Sequence, residues 1–219
     1  MIVLIGASSG IGKELYDILS KKHNVIGTYN SNPDDKLVKI DLSSDISKFC
    51  DSINQIPNPL TLINLSTLSL DNLLINTDLD SWNRSFEINT TSNFLLAKAF
   101  LPKMIKDGFG RFIFVSSVVS ETSPNGTGAY SSSKSALNGL SRTIAHEYGR
   151  FGITSNILSL GYFDKGLINT LTEEKRSNII SRIPSRSLGK VEDIAHAIDF
   201  IIETGYLNGS VIRLDGGIE

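Results

Sequence analysis

The sequence predicts an α/β fold, a three-layer, doubly wound parallel sheet of about seven strands. Two observations favour this fold. Short apolar runs alternate along the whole chain with longer segments whose apolar residues recur at helical spacing. The short runs are apolar throughout, which is the pattern of parallel strands covered by helices on both faces.

The apolar runs predict the strands, and the segments between them predict the helices. The predicted strands are Met1–Ile5, Val25–Tyr29, Leu37–Ile40, Leu60–Ile63, Arg111–Ser116, Ile153–Leu158 and Ser210–Leu214. The predicted helices are Ile11–Lys21, Asp45–Ile53, Leu79–Lys106 with an interruption near Asn89, Gly128–Tyr148, Thr172–Ile183 and Val191–Glu203. Asn30–Lys36 carries Asn, Ser, Pro and Asp, which predicts a turn and no helix between the second and third strands. We expect one domain over residues 1–219, with a short lid over about 160–189.

Composition excludes several classes of protein. The 219 residues are 40% apolar, so the chain can bury a core without disulfides or metal. A net charge of −2 gives no basic surface for nucleic acid. One cysteine excludes a disulfide framework, and no two histidines have metal-ligand spacing, so we expect no metal. The sequence contains no signal peptide or membrane span, which predicts a cytoplasmic protein without a membrane partner.

A glycine-rich turn follows the first strand, with the sequence Gly6-Ala7-Ser8-Ser9-Gly10-Ile11-Gly12. Glycines let the chain turn tightly and bring its backbone close to a pyrophosphate, which then faces the N–H groups of the next helix. A glycine-rich turn without a ligand is the alternative. The position between the first strand and the first helix favours phosphate binding.

Tyr130 and Lys134 lie four residues apart at the start of a predicted helix and therefore share a face. A neighbouring ammonium stabilises a phenolate and lowers the tyrosine pKa from about 10, which suits acid–base chemistry. Ser117 follows the fifth strand, at the edge where a parallel sheet presents catalytic groups. Alone, the pair could be an ordinary surface pair, and Asn89 a helix-surface residue or a kink.

Taken together, this turn and these side chains resemble the short-chain dehydrogenase/reductase family, and the resemblance spans the whole chain. It implies a Rossmann fold and the family's catalytic tetrad of Asn89, Ser117, Tyr130 and Lys134. In that family, tyrosine passes a proton to the carbonyl oxygen while the nicotinamide delivers hydride to carbon. Serine orients that oxygen, lysine lowers the tyrosine pKa and holds the ribose, and asparagine anchors a water.

The resemblance also implies a set of cofactor-binding residues. They are Gly6, Ser8, Ser9, Gly10, Ile11, Gly12, Asn30, Asp41, Leu42, Asn64, Ser66, Tyr130, Lys134 and Gly161. Tyr29 and Asn30 stand where NAD-dependent members carry a carboxylate, and its absence removes a repulsion against a 2′-phosphate. Ser9, Asn30 and Ser31 can donate hydrogen bonds to that phosphate. NADP(H) is therefore favoured over NAD(H).

The sequence departs from the family pattern in four places. Ile5 replaces a threonine, Leu65-Ser66-Thr67 replaces Asn-Ala-Gly after Asn64, Leu160 replaces a proline, and Lys165 stands where threonine is frequent. These changes concern the seating of the cofactor. They leave open a non-catalytic, nucleotide-binding interaction protein.

The substrate class follows from a narrower resemblance. Asp71-Asn72-Leu73-Leu74 is similar to the bacterial 3-oxoacyl-(acyl-carrier-protein) reductase branch of the family, which implies an acyl-thioester carbonyl. Gly108 and Phe151 stand where that branch carries docking arginines, so a sugar or another small keto substrate remains an alternative. The family also implies a homodimer or homotetramer, with the Leu79–Lys106 and Gly128–Tyr148 helices as the dimer surface.

Overall fold

Seven parallel strands form one sheet in the order β3-β2-β1-β4-β5-β6-β7. The computed structural model describes residues 1–8, 10–166, 168 and 171–218. The strands are β1 (Ile2–Ile5), β2 (Val25–Tyr29), β3 (Val38–Lys39), β4 (Leu60–Asn64), β5 (Gly110–Ser117), β6 (Ile153–Leu160) and β7 (Val211–Leu214). The order reverses between β1 and β4, as in a doubly wound sheet, where ligands bind beyond the carboxyl ends of the strands.

Helices connect the strands on both sides of the sheet. They are α1 (Gly10–Leu19), α2 (Ser47–Asn54), α3 (Leu79–Phe86), α4 (Ser92–Asp107), α5 (Val119–Thr122), α6 (Gly128–Tyr148), α7 (Glu173–Arg182) and α8 (Val191–Glu203). One π-helical turn, Glu87–Thr91, joins α3 to α4. Within the described ranges, no helix is long and apolar enough to cross a membrane.

The core has two halves, one on each face of the sheet, because successive strand residues point to opposite faces. In β1, Val3 and Ile5 pack with α2, α4 and α6, whereas Ile2 and Leu4 pack with α1 and α8. All four side chains are at most 2% exposed. This arrangement confirms the predicted three-layer Rossmann fold.

The structure refines several predicted element boundaries. Ser117 is the last residue of β5, where it pairs with Leu160 of β6, so it does not follow the strand as we predicted. The strand β3 contains only two residues, both exposed. The interruption predicted near Asn89 is the π-helical turn, which lets the buried Asn89 side chain reach backbone groups of the segment after β4.

Candidate active site

A cleft of about 1570 Å³ opens beyond the carboxyl ends of the central strands, at the point where strand order reverses. The glycine-rich turn lies at one side, and Ser117, Tyr130 and Lys134 lie at another. The predicted cofactor residues that line it are Gly6, Ser8, Gly10, Ile11, Gly12, Asn30, Asp41, Leu42, Ser66, Tyr130, Lys134 and Gly161. Ser9 lies outside the described residues, and Asn64 and Asn89 are buried behind the cleft wall.

The glycine-rich turn has the backbone geometry of a phosphate cradle. Gly6 and Gly10 have φ angles of +85° and +56°, a region that favours glycine. A Cβ on Gly12 would lie 1.9 Å from the carbonyl oxygen of Gly6, so only glycine allows α1 to begin this close to the turn. Residues at the start of α1 line the cleft, and the positive end of a helix favours anions, so the site fits the pyrophosphate of a dinucleotide.

Two hydroxyl-bearing side chains share the cleft with Tyr130. Tyr130 is in the first turn of α6, and Ser117 and Thr67 line the same cleft. Burial, the largest effect, raises the pKa of Tyr130 above its ordinary value, and the charge of Asp71 also raises it. The hydroxyls of Thr67 and Ser117 lower this pKa in part. Sequence reasoning did not select Thr67; the signal was its place in the stretch that departs from the family pattern.

Lys134 is buried beneath the cleft, at 2% exposure. Its Nζ donates a hydrogen bond to the carbonyl oxygen of Val115 at 2.9 Å, and burial lowers the pKa of its ammonium to about 8. The Nζ lies 6.0 Å from the centre of the Tyr130 ring. Burial, the hydroxyls of Thr67 and Ser117 and the charge of Asp71 shift the pKa of Tyr130 in this structure, and the role expected of Lys134 toward Tyr130 stays a prediction.

Asn89 is fully buried and joins three segments, which excludes its alternative as a helix-surface residue. Its Oδ1 accepts a hydrogen bond from the Leu68 N–H at 2.8 Å, and its Nδ2 donates to the Leu68 carbonyl oxygen at 2.8 Å and to Ser133 Oγ at 2.9 Å. Ser133 Oγ in turn donates to the carbonyl oxygen of Tyr130. The Asn89 side chain therefore fixes both the loop after β4 and the first turn of α6.

Asn64 fixes the other end of the same loop. Its Oδ1 accepts a hydrogen bond from the Ser66 N–H at 2.9 Å, and its Nδ2 donates to Asn93 Oδ1 at 3.1 Å. A Cβ on Gly6 would lie 3.2 Å from both the backbone nitrogen and the Oγ of Ser66, so the loop packs closely against the glycine-rich turn. Asn64 thus fixes the loop that forms the cleft wall, although its own side chain does not line the cleft.

The far end of the cleft is formed by Asn30, Asp41 and Leu42. Asp41 Oδ1 accepts hydrogen bonds from both the Oγ and the backbone N–H of Ser43. These bonds hold the pKa of Asp41 below its ordinary value. Leu42 is only 7% exposed and belongs to the core.

The segment after β6 lies over the glycine-rich turn. A Cβ on Gly10 would lie 3.3 Å from the Cα of Gly166, and Lys165 Nζ lies 3.2 Å from Glu14 Oε2 on α1. Phe163 is buried against the core. The proposed lid over 160–189 includes residues 167, 169 and 170, which lie outside the described residues.

A comparison of the sequence with models of known protein families identifies the family of this chain. The model for a family described as enoyl-(acyl carrier protein) reductase, a short-chain dehydrogenase group, matches residues 45–219. The chain belongs to the short-chain dehydrogenase/reductase family. It is thus an NAD(P)-dependent oxidoreductase.

Relatives that align over nearly the whole chain support the same family assignment. The chain is 30% identical to the 3-oxoacyl-(acyl-carrier-protein) reductase of Haemophilus influenzae over 99% of this chain and 96% of the relative. The reductases of the same name from Buchnera aphidicola subsp. Baizongia pistaciae and Escherichia coli are 31% and 28% identical, each over 99% of this chain and 96% of the relative. The similarity therefore extends through both the glycine-rich turn and the residues around Tyr130.

Proposed function

We propose that the chain reduces the carbonyl of a 3-oxoacyl thioester to an alcohol, with Tyr130 as the proton donor. The observation that carries this proposal is that Tyr130, Ser117 and the buried Lys134 line one cleft together with the glycine-rich turn. The relatives named for this reaction support the substrate class.

Each residue of the site has a role in this mechanism. The bound reduced nicotinamide supplies the hydride. The Ser117 hydroxyl orients the substrate carbonyl oxygen beside Tyr130, and the Tyr130 proton moves to that oxygen as its negative charge develops. Lys134 would hold the ribose of the cofactor, and its positive charge, 6.0 Å from the centre of the Tyr130 ring, would favour the phenolate that remains. Asn89 keeps the first turn of α6 in register with the loop after β4.

We propose that the chain prefers NADP(H) to NAD(H) as its cofactor. Asn30, Ser31 and Asn32 line the cleft after β2, where they can donate hydrogen bonds to a 2′-phosphate. None of the three carries the negative charge that would repel it. Binding of the 2′-phosphate therefore depends on neutral hydrogen-bond donors at this end of the cleft.

A sugar or another small keto compound is the second candidate substrate. Docking of an acidic carrier protein needs basic residues near the cleft. Gly108, at one of the positions where docking arginines are expected, ends α4 with φ +64°, a conformation that an arginine would adopt only with strain. Phe151 is at the other position. A free thioester or a small ketone needs neither arginine.

We further propose that the chain is a homo-oligomer assembled through α4 and α6. Phe94 and Leu95 of α4 are 48% and 38% exposed, which is high for large apolar side chains on a protein surface. Light scattering should give the mass of a dimer or tetramer, and replacement of both residues by serine should lower that mass. An unchanged mass would place the interface elsewhere.

The test of the proposed function is a comparison of substrates and cofactors. Purified protein is mixed with NADPH or NADH and with acetoacetyl thioester, carried by the acyl carrier protein or by coenzyme A, or with a keto sugar. We expect NADPH oxidation with the thioesters and loss of at least about a thousandfold in kcat for Tyr130→Phe, while NADPH still binds. Full activity of Tyr130→Phe would contradict the mechanism, and reduction of the sugar alone would favour the second candidate. Cofactor binding with no turnover of any substrate would favour a non-catalytic protein.

A further inference from the structure

We propose that Lys165 binds the pyrophosphate of the cofactor, its ammonium exchanging the carboxylate of Glu14 for phosphate oxygens when the dinucleotide enters the cleft. Lys165 is absent from the predicted set of cofactor-binding residues, and it stands where threonine is frequent in the family. The inference rests on the cofactor binding of the proposed function. It is independent of the substrate and of proton transfer by Tyr130.

Lys165 lies beside the phosphate cradle. It lines the cleft together with Gly10 and Gly12 at the start of α1. Immediately after Lys165 the chain passes very close to the glycine-rich turn, since a Cβ on Gly10 would lie 3.3 Å from the Cα of Gly166. The Lys165 side chain therefore begins next to the position that fits the pyrophosphate.

The backbone before Lys165 is held in place by the loop that precedes α8. The Asp164 N–H donates a hydrogen bond to the carbonyl oxygen of Gly189 at 3.1 Å, and the Gly189 N–H donates to that of Tyr162 at 3.0 Å. Phe163 is 4% exposed, and a Cβ on Gly189 would lie 2.6 Å from its ring. These contacts fix the position of Lys165 without the help of its ion pair.

The ion pair between Lys165 and Glu14 is of a kind that exchanges easily. The distance from Nζ to Oε2 is 3.2 Å, and the two side chains are 44% and 35% exposed. An ion pair this exposed to water is weak, and a lysine carries its ammonium on a flexible stem. Glu14 itself does not line the cleft. The ammonium can therefore move from Glu14 to a phosphate in the cleft at small cost.

The pyrophosphate carries more charge than the glycine-rich turn neutralises. Each phosphate is negative, whereas the N-terminus of a helix offers roughly half a positive charge. Among the described residues that line the cleft, the cations are Arg84, Lys134 and Lys165. Lys134 is already bonded to the Val115 carbonyl oxygen, and Arg84 comes from α3. Lys165 is the cation that the chain brings against Gly10, where it can form a charge-assisted hydrogen bond to the pyrophosphate.

The experiment measures the dissociation constants of NADPH and NADH by fluorescence titration, with no carbonyl substrate present. Lys165→Gln removes the charge and Lys165→Arg retains it. Lys13→Gln, the matched control, removes a charge from an exposed side chain of α1 that does not line the cleft. We expect Lys165→Gln to raise both constants about tenfold and to leave their ratio unchanged, because the two cofactors share the pyrophosphate. Lys165→Arg and Lys13→Gln should stay within about twofold of the wild type.

Glu14→Gln distinguishes exchange of the ammonium from an ion pair with a structural role only. If the ammonium moves to the pyrophosphate, loss of the Glu14 carboxylate frees it in advance, and NADPH should bind about threefold more tightly. In the Lys165→Gln background the same change should have a smaller effect, because the part that acts through the ammonium is gone. An ion pair that only positions the chain predicts the opposite sign, with weaker binding in Glu14→Gln.

The possible outcomes separate this inference from the proposed function. If the wild type binds both cofactors and Lys165→Gln binds them equally well, the inference fails while the proposed function stands. Weaker binding in Glu14→Gln, or a loss in Lys13→Gln as large as that in Lys165→Gln, also overturns the inference. If the wild type binds neither NADPH nor NADH, the proposed function fails and the inference fails with it.

Discussion

Lys134 Nζ donates a hydrogen bond of 2.9 Å to the carbonyl oxygen of Val115, which joins the second turn of α6 to β5. This bond places a cation inside the protein, where burial lowers its pKa to about 8. It also holds α6 against the strand that ends at Ser117. The lysine therefore has a structural contact in addition to its proposed role toward the cofactor.

The buried ammonium predicts a pH dependence of stability. The ordinary pKa of 10.5 applies in the unfolded chain and about 8 in the folded protein, so between these values the unfolded state binds more protons. The contribution of Lys134 to the free energy of unfolding should then rise with pH, by about 2 kcal/mol from pH 7 to 10. Urea unfolding of wild type and Lys134→Met over this range measures it. The same change of the free energy of unfolding with pH in the wild type and in Lys134→Met would contradict the prediction.

The close contact between Gly12 and Gly6 predicts that Gly12→Ala cannot be accommodated. The added Cβ would lie 1.9 Å from the Gly6 carbonyl oxygen, so the turn must move and the phosphate cradle must open. We expect at least a tenfold loss of NADPH affinity, about 1.4 kcal/mol or more, and a lower Tm. Fluorescence titration and thermal unfolding measure both quantities.

Gly139→Ala is the matched control for that substitution. Gly139 lies inside α6, and nothing is within 4 Å of the position of an added Cβ. Alanine is the better helix former, so the variant should be more stable by about 0.5–1 kcal/mol and should bind NADPH normally. Equal effects of the two substitutions would contradict the role assigned to Gly12.

Removal of the Asn89 amide should impair both stability and turnover. Asn89→Ala leaves the N–H and carbonyl oxygen of Leu68 without these partners, which should lower the free energy of unfolding by about 3 kcal/mol. Because the loop and α6 lose their link, kcat should fall more than NADPH affinity. Denaturant unfolding and steady-state kinetics test this, with Asn83→Ala on the exposed side of α3 as control. A stable, fully active Asn89→Ala variant would contradict it.

A single charge at position 30 should change the cofactor preference. Asn30→Asp places a carboxylate in the cleft after β2, where it would repel a 2′-phosphate and accept hydrogen bonds from ribose hydroxyls. We expect KM for NADPH to rise about tenfold, with KM for NADH unchanged or lower. Asn58→Asp, an exposed change before β4, is the control. An unchanged ratio of the two KM values would mean that the 2′-phosphate does not approach Asn30.

The fold was largely predictable from local pattern, whereas the site was predictable only in outline. Continuous apolar runs identify β1 and β4, and the glycine spacing identifies the turn, because these signals lie within a few neighbouring residues. The hydrogen bonds that join Lys134 to Val115 and Asn89 to Leu68 and Ser133 connect residues far apart in the chain. Such contacts depend on how the loop after β4 packs against α6, which no periodicity encodes.

The π-helical turn at Glu87–Thr91 has a consequence for how the chain can change its length. A π-helical turn holds one residue more than an α-helical turn, and losing that residue would rotate everything after it by about 100°. The buried Leu96 would then take the exposed place of Leu95, and Phe94 would take the buried place of Asn93. Insertions and deletions should therefore be absent from this stretch in functional descendants of the chain. Residues 33–36 lie beyond the cleft-lining Asn30, Ser31 and Asn32 and precede a short, exposed strand, so the chain can gain or lose residues there more readily.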